Sequence, residues 1–158
     1  MKIVQTDISQ IDQLVELFDA YRVWYRKESD KKTAKDFLLQ RIKNGESIIY
    51  ACENEGGKLV GFTQLYPIFS SVRMKRMWLL NDLFVDPNFR GQGISKMLIN
   101  QAQDLCRNTN ACGILLETEK KMILEIIYIQ PQGLNWKKTI STFGPNHKYE
   151  IPNTVLMK

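Results

Sequence analysis

The chain has 158 residues, 44% of them hydrophobic and 25% charged, which is the composition of one globular domain able to bury a core without disulfides or a structural metal. No apolar run is long enough to cross a membrane and no signal peptide is recognisable; Cys52, Cys106 and Cys112 lack framework spacing and His147 is the single histidine, so a multi-His metal site is excluded and a cytoplasmic setting with reduced thiols is expected. The net charge of +5 is mild and comes with no basic stripe or groove-reading motif, so no nucleic-acid partner is expected.

Residues 2–5 read as a first edge strand. Asp7 or Ser9 can cap the next helix, because a short side-chain oxygen accepts from the unpaired amides of a first turn. That helix carries Ile11, Leu14, Val15, Phe18, Tyr21 and Tyr25 at spacings of three and four. A charged break over residues 26–32 follows. Thr33 then opens a second helix with Phe37, Leu38 and Ile42, closed by Asn44 and Gly45. Residues 47–52 are β-rich, Glu55, Gly56 and Gly57 make a turn, and residues 59–69 form a strand. Residues 70–73 read as a loop and 77–85 as a second long strand, stopped by Asp86 and Pro87. Ile94, Leu98, Ala102 and Leu105 mark a third helix, and residues 114–117 a short buried strand. The predicted order is β, α, α, β, β, β, α, β.

The informative stretch is the strand-to-helix junction at Leu83, Phe84, Val85, Asp86, Pro87, Asn88, Phe89, Arg90, Gly91, Gln92, Gly93, Ile94, Ser95 and Lys96. Amides at a helix start have no internal partner, and with the helix dipole they suit a phosphate. Glycine lets the anion approach the backbone, and Arg90 can add a charge-assisted contact. No Gly-Lys-Ser/Thr follows, so this is not a Walker loop, and the third glycine of a dinucleotide fingerprint is missing.

Residues 83–98 resemble motif A of the GNAT superfamily of acyl-CoA-dependent N-acetyltransferases, Arg/Gln-x-x-Gly-x-Gly/Ala. Arg90, Gly93 and Ser95 fall on its fixed places, with Ser95 a small departure. The resemblance covers roughly residues 1–119. It implies an α/β fold with a mixed, mostly antiparallel twisted sheet and helices on both faces. It also implies acetyl-CoA as co-substrate, with its pyrophosphate on the amides of Gly91, Gln92, Gly93, Ile94, Ser95 and Lys96 and its pantetheine arm beside Leu83, Phe84 and Val85. The expected reaction is direct attack of a primary amine, on a small molecule or peptide, at the thioester. The alternative is an acetyl-CoA-binding protein with impaired catalysis. Members of the family often dimerise.

A base must take the ammonium proton, and Asp82 on the central strand is the candidate. By strand alternation Asp82 shares a face with Phe84, while Leu83 and Val85 share the other; the pattern alone does not choose the acceptor face. Trp24, Tyr25, Tyr66 and Arg73 are candidate acceptor contacts. Tyr21 reads as core, because aromatic residues at helical spacing more often pack than bind.

After Glu119 the resemblance stops, giving a core over residues 1–121 and an atypical tail over 122–158. The family's usual Asn, Leu-Tyr and Gly-Phe signals are missing there. Tyr128 lies within one residue of the family tyrosine that protonates the departing thiolate, and is the candidate acid. Codons permitted for Lys121 onward, read from the third base, can spell the missing signals in order and at family spacing. Glu119, Lys120 and Lys121 can be encoded by an adenine run. The tail is therefore read as the product of one lost adenine, with a divergent native C-terminus as the alternative. Pro131, Gly133, Gly144, Pro145 and Pro152 predict irregular structure, while Met122, Ile123, Leu124, Ile126, Ile127 and Ile129 are apolar enough to form a strand or helix.

Overall fold

The computed structural model describes residues 1–118, 123–127 and 138–142. They fall into two compact units, Met1–Tyr66 with Asp82–Ala102, and Pro67–Asn81 with Gln103–Lys158.

In the first unit β1 (Lys2–Gln5) pairs antiparallel with β2 (Ile48–Glu53), from Lys2↔Glu53 to Gln5↔Tyr50. β2 pairs antiparallel with β3 (Leu59–Ser70), from Ile48↔Leu65 to Cys52↔Gly61, with a register shift at Cys52/Glu53. β4 (Lys75–Val85) follows β3 in the sheet, and the Asp86 amide donates to the Val60 carbonyl at 3.0 Å. Over one face lie α1 (Ile11–Trp24) and α2 (Lys31–Lys43). The apolar stripe of α1, Ile11, Leu14, Val15 and Phe18, meets Ala34 and Leu38 of α2 and Ile49, Ala51, Phe62 and Phe84 of the strands. Each fully buried Leu or Phe contributes about 1.5–3 kcal/mol relative to exposure.

The opposite face receives α3 (Ile94–Asn108). Gly61 marks the contact, because a Cβ there would lie 2.9 Å from the Phe84 carbonyl oxygen, 3.2 Å from Ile94 Cγ2 and 3.3 Å from Val85 Cγ2. Val85 therefore looks toward α3, and Phe84 toward α1.

Local chemistry corrects three sequence-based boundaries. Asp7 caps a 3-10 turn, Ile8–Gln10, by accepting from the Ser9 amide at 2.7 Å, so α1 begins only at Ile11. Asp30, not Thr33, caps α2, because its carboxylate accepts from the Thr33 amide at 3.0 Å and two more residues join the helix. The β3 and β4 strands extend farther than their apolar cores suggest, and the turn between them narrows to residues 71–74. The end of α2 follows the sequence reading, with Gly45 at φ +62°.

In the second unit β4 runs parallel to β5 (Ile114–Thr118), from Trp78↔Ile114 to Leu80↔Leu116. Trp78 Nε1 donates to Thr109 Oγ1 at 2.9 Å, and the Cys112 amide to the Arg76 carbonyl at 2.8 Å. β6 (Ile123–Ile127) and β7 (Lys138–Thr142) continue antiparallel from β5. β6 falls in the apolar run expected to form a strand or helix, whereas β7 lies where irregular structure was expected. β6 is the apolar run, and β7 carries β-branched Thr139, Ile140 and Thr142, which suit a pleated strand. The fold is thus mixed α/β with a mostly antiparallel sheet.

Candidate active site

Within the first unit, a cavity of about 500 Å³ opens where β4 ends and α3 begins. Its walls are Tyr21, Trp24 and Tyr25 from α1, Leu83, Phe84 and Val85 from β4, Phe89, Arg90, Gly91 and Gly93 from the junction, and Ile94 and Ser95 from α3. The strand stops because Asp86 turns the chain: its carboxylate accepts from the Asn88 amide at 2.9 Å, ahead of the 3-10 turn Pro87–Phe89. Gly91 and Gly93 then take φ values of +78° and +76°, which L side chains rarely adopt. A Cβ at either would meet nothing within 4 Å, so these glycines are required by backbone conformation rather than crowding.

The Met97 amide donates to the Gly93 carbonyl at 3.1 Å, the first bond of α3. The amides of Ile94, Ser95 and Lys96 precede that bond and have no partner within the helix. They form a cradle suited to an anion. Gly91, Gly93, Ile94 and Ser95 line the cavity, whereas the exposed Gln92 and Lys96 flank it. Arg90 folds back: its Nε donates to the Val85 carbonyl at 3.2 Å, and its guanidinium lies 4.6 Å from the Trp24 ring centroid and 6.0 Å from that of Phe84. A guanidinium over an aromatic face is attracted by the ring quadrupole. This contact holds the exposed Trp24 at the cavity mouth.

Asp82 is buried, and its face is the one turned to α1. The Thr63 hydroxyl donates to the Asp82 backbone carbonyl at 2.9 Å. The Asp82 carboxylate lies close enough to the Tyr21 phenol for its charge to act on it. The Tyr21 ring is wedged among Phe18, Tyr25, Phe62 and Phe84, at centroid distances of 6.3, 4.9, 5.9 and 6.0 Å. Burial, then the Asp82 charge, pushes the Tyr21 phenol well above its ordinary range. Tyr21 is therefore both the core residue the periodicity predicts and a wall of the cavity. Its spacing carried the first role only; the signal for the second would have been its pairing with an acidic residue on the facing strand.

Tyr66 and Arg73 do not line this cavity. Tyr66 sits half-buried on β3, its phenol pushed up to about 12 by burial and the Asp82 charge. Arg73 belongs to the 71–74 turn, and its amide donates to Ser70 Oγ at 3.3 Å. Tyr128 lies outside the described residues.

An anion cradle at the end of a central strand, on a mixed sheet with helices on both faces, defines an acyl-CoA-type transferase. The sequence matches the Acetyltransferase (GNAT) family over residues 11–122, and the chain belongs to that family. It is 44% identical to an uncharacterized N-acetyltransferase, YhfO, of Bacillus subtilis (strain 168), over 119 residues covering 75% of this chain and 79% of that protein. It is 31% identical to a probable acetyltransferase of Haemophilus influenzae (strain ATCC 51907), covering 74% of this chain and 80% of the relative. Among solved structures, a probable acetyltransferase superposes with a TM-score of 0.73 at 36% identity, over 76% of this chain and 80% of that one. A predicted acetyltransferase from Clostridium acetobutylicum, solved with acetyl-CoA, shares the fold at a TM-score of 0.64 and 15% identity, over 77% and 82% of the two chains. The chain is an N-acetyltransferase of the GNAT type.

Proposed function

We propose that the donor is acetyl-CoA and the acceptor a primary amine on a small molecule or peptide. The observation that carries this reading is the cavity that joins the amides at the start of α3 to the aromatic wall of α1. The pyrophosphate would sit on the backbone of residues 91–96, with Arg90 as the adjacent cation and the pantetheine arm along Leu83, Phe84 and Val85. The amine would enter past Trp24 and Tyr25, with Tyr66 and Arg73 as outer contacts. Its nitrogen attacks the thioester carbon, the C–N bond forms, and the C–S bond breaks to release the CoA thiol. Asp82 serves as the base, and Tyr128 is retained as the candidate acid. The reaction belongs to the cytoplasm, with a homodimer as the assembly to test.

One observation favours a second reading. The family match ends at residue 122 of 158, and on this reading residues 122–158 are an atypical tail from a shifted frame, leaving binding without turnover. The gene's codons around Lys120 test the origin of the tail: codons that do not spell the Asn, Leu-Tyr and Gly-Phe signals in the other frame overturn it.

Calorimetric titration of the full chain with acetyl-CoA, beside thiol release over a panel of primary amines, separates the two readings. Binding with amine-dependent thiol release is the expected result. Binding without release selects the second reading, and no binding rejects both. Gly93→Val, forced into a φ of +76° with a branched side chain facing the cradle, should weaken binding at least tenfold.

A further inference from the structure

Trp24 ends α1, and it is 62% exposed although its backbone is held. The Arg26 amide donates to the Val23 carbonyl at 2.9 Å and the Lys27 amide to the Arg22 carbonyl at 3.1 Å, with Arg26 at φ +59°. This closure satisfies carbonyls of the last turn and fixes where Trp24 stands. It leaves open the direction of the ring, and there the Arg90 guanidinium acts, 4.6 Å from the ring centroid. Arg90 is itself tethered, because its Nε donates to the Val85 carbonyl at 3.2 Å, across the turn that leads into α3. The Phe84 ring, 6.0 Å from the guanidinium, backs it from the strand. A guanidinium is planar: its face can lie on a ring while the N–H groups of its two terminal nitrogens point outward in the plane. Trp24 and Arg90 both line the cavity, beside Gly91 and Gly93 of the cradle.

We propose that Arg90 is a positioning residue that couples the donor cradle to the acceptor wall: its face holds the Trp24 ring, its edge meets the donor's pyrophosphate, and an occupied cradle thereby fixes the ring. This rests on the acetyl-CoA reading of the same cavity. Arg90 is exposed, and ordering a long side chain costs conformational entropy. Once a pyrophosphate has ordered the guanidinium, Trp24 stacks on it without that cost, so each contact strengthens the other. The coupling is reciprocal. Trp24 therefore adds to acetyl-CoA affinity through Arg90 rather than through a phosphate contact of its own. In return, a filled cradle sets the indole as one wall of the entrance that the amine must pass.

The test is a double-mutant cycle on the full chain, with wild type, Trp24→Leu, Arg90→Gln and the double variant titrated with acetyl-CoA by calorimetry. Both side chains are exposed, so their removal should leave the fold intact. Trp24→Leu should raise the acetyl-CoA dissociation constant about twofold to fivefold, and should have no measurable effect once Arg90 is replaced. Trp24→Phe, which keeps a ring for the guanidinium, should recover most of the loss. Acrylamide quenching gives a readout that does not depend on turnover. The fluorescence that Trp24→Phe removes should become less accessible when wild type is saturated with acetyl-CoA, but not when Arg90→Gln is. S-acetylpantetheine, which has the thioester arm and no pyrophosphate, should not protect it. Additive losses in the cycle, equal protection in Arg90→Gln, or protection by S-acetylpantetheine would overturn the coupling and leave the acetyl-CoA reading standing. A wild-type chain that binds no acetyl-CoA rejects that reading, and the coupling with it.

Discussion

Gly61 illustrates how much of the site depends on a residue that does no chemistry. It stands inside β3, where glycine weakens a strand unless another part of the chain comes close. Here the Phe84 carbonyl oxygen would lie 2.9 Å from an added Cβ, with Ile94 and Val85 side chains within 3.3 Å. Phe84, Val85 and Ile94 all line the cavity, so a methyl group would push the end of β4 away from the start of α3. Gly61→Ala should cost about 1–3 kcal/mol of stability, as overpacked sites do, and should weaken acetyl-CoA binding as well. Urea unfolding and calorimetry measure the two effects; an unchanged unfolding midpoint would show that the strands give way freely. The glycine at the junction was legible in sequence because Gly91 and Gly93 fall in a recognisable pattern. Gly61 was not, because its partner is 23 residues away on another strand. Tyr21 has the same difficulty: α-helical spacing identifies the face it shares with Phe18, but its closeness to the Asp82 charge arises only when α1 is laid over β4.

At the scale of the element, the connection between α1 and α2 shows what a charged break conceals. Residues 26–32 read as a solvated interruption, yet they are tied down by a buried acid. Asp19, on the inner face of α1 and 4% exposed, accepts from the Ser29 hydroxyl at 2.6 Å and from the Asp30 amide at 2.9 Å, with Arg22 beside it at 3.6 Å. Fixing Asp30 in this way sets its own carboxylate to cap α2 through the Thr33 amide. One buried side chain thereby fixes the start of the next helix. Asp19→Ala leaves the Asp30 amide and the Ser29 hydroxyl without their acceptor. The expected loss is about 1–3 kcal/mol in chemical unfolding, with little change in the acetyl-CoA dissociation constant, because the cradle lies at α3. A large fall in acetyl-CoA affinity would instead mean that the loop helps to seat the α1 wall. The periodicity of all three helices and both long strands was readable because apolar spacing reports burial directly. The α2 boundary was missed because its cap is chosen by a tertiary contact, which no local window contains.

Across the whole molecule, the basic composition says less than the buried acids do. The chain places several weak acids where ionisation is penalised. Burial pushes the Tyr66 phenol up to about 12 from an ordinary 10.0 and the Cys106 thiol up to about 11 from 9.0, and it also raises Tyr21 and Cys52. In each case the native state keeps a proton that the unfolded chain releases. The stability derivative with pH follows protons bound unfolded minus protons bound native, so it is negative through this range. Stability is therefore intact below the unfolded pKa values and falls as the pH rises, beginning near the ordinary thiol value of 9.0 and continuing to about 12, where Tyr66 finally ionises. The urea midpoint should be level to about pH 8 and decline between about pH 9 and about pH 11. Phenolate absorbance should show Tyr21 and Tyr66 titrating only as the chain unfolds. Tyr66→Phe should flatten part of the decline, because a phenyl ring has no proton to lose from either state. A midpoint that stays level to pH 11, or phenolate absorbance that rises fully while the chain is folded, would show that these hydroxyls reach solvent and that the α1 face of β3 and β4 is more open than its packing implies.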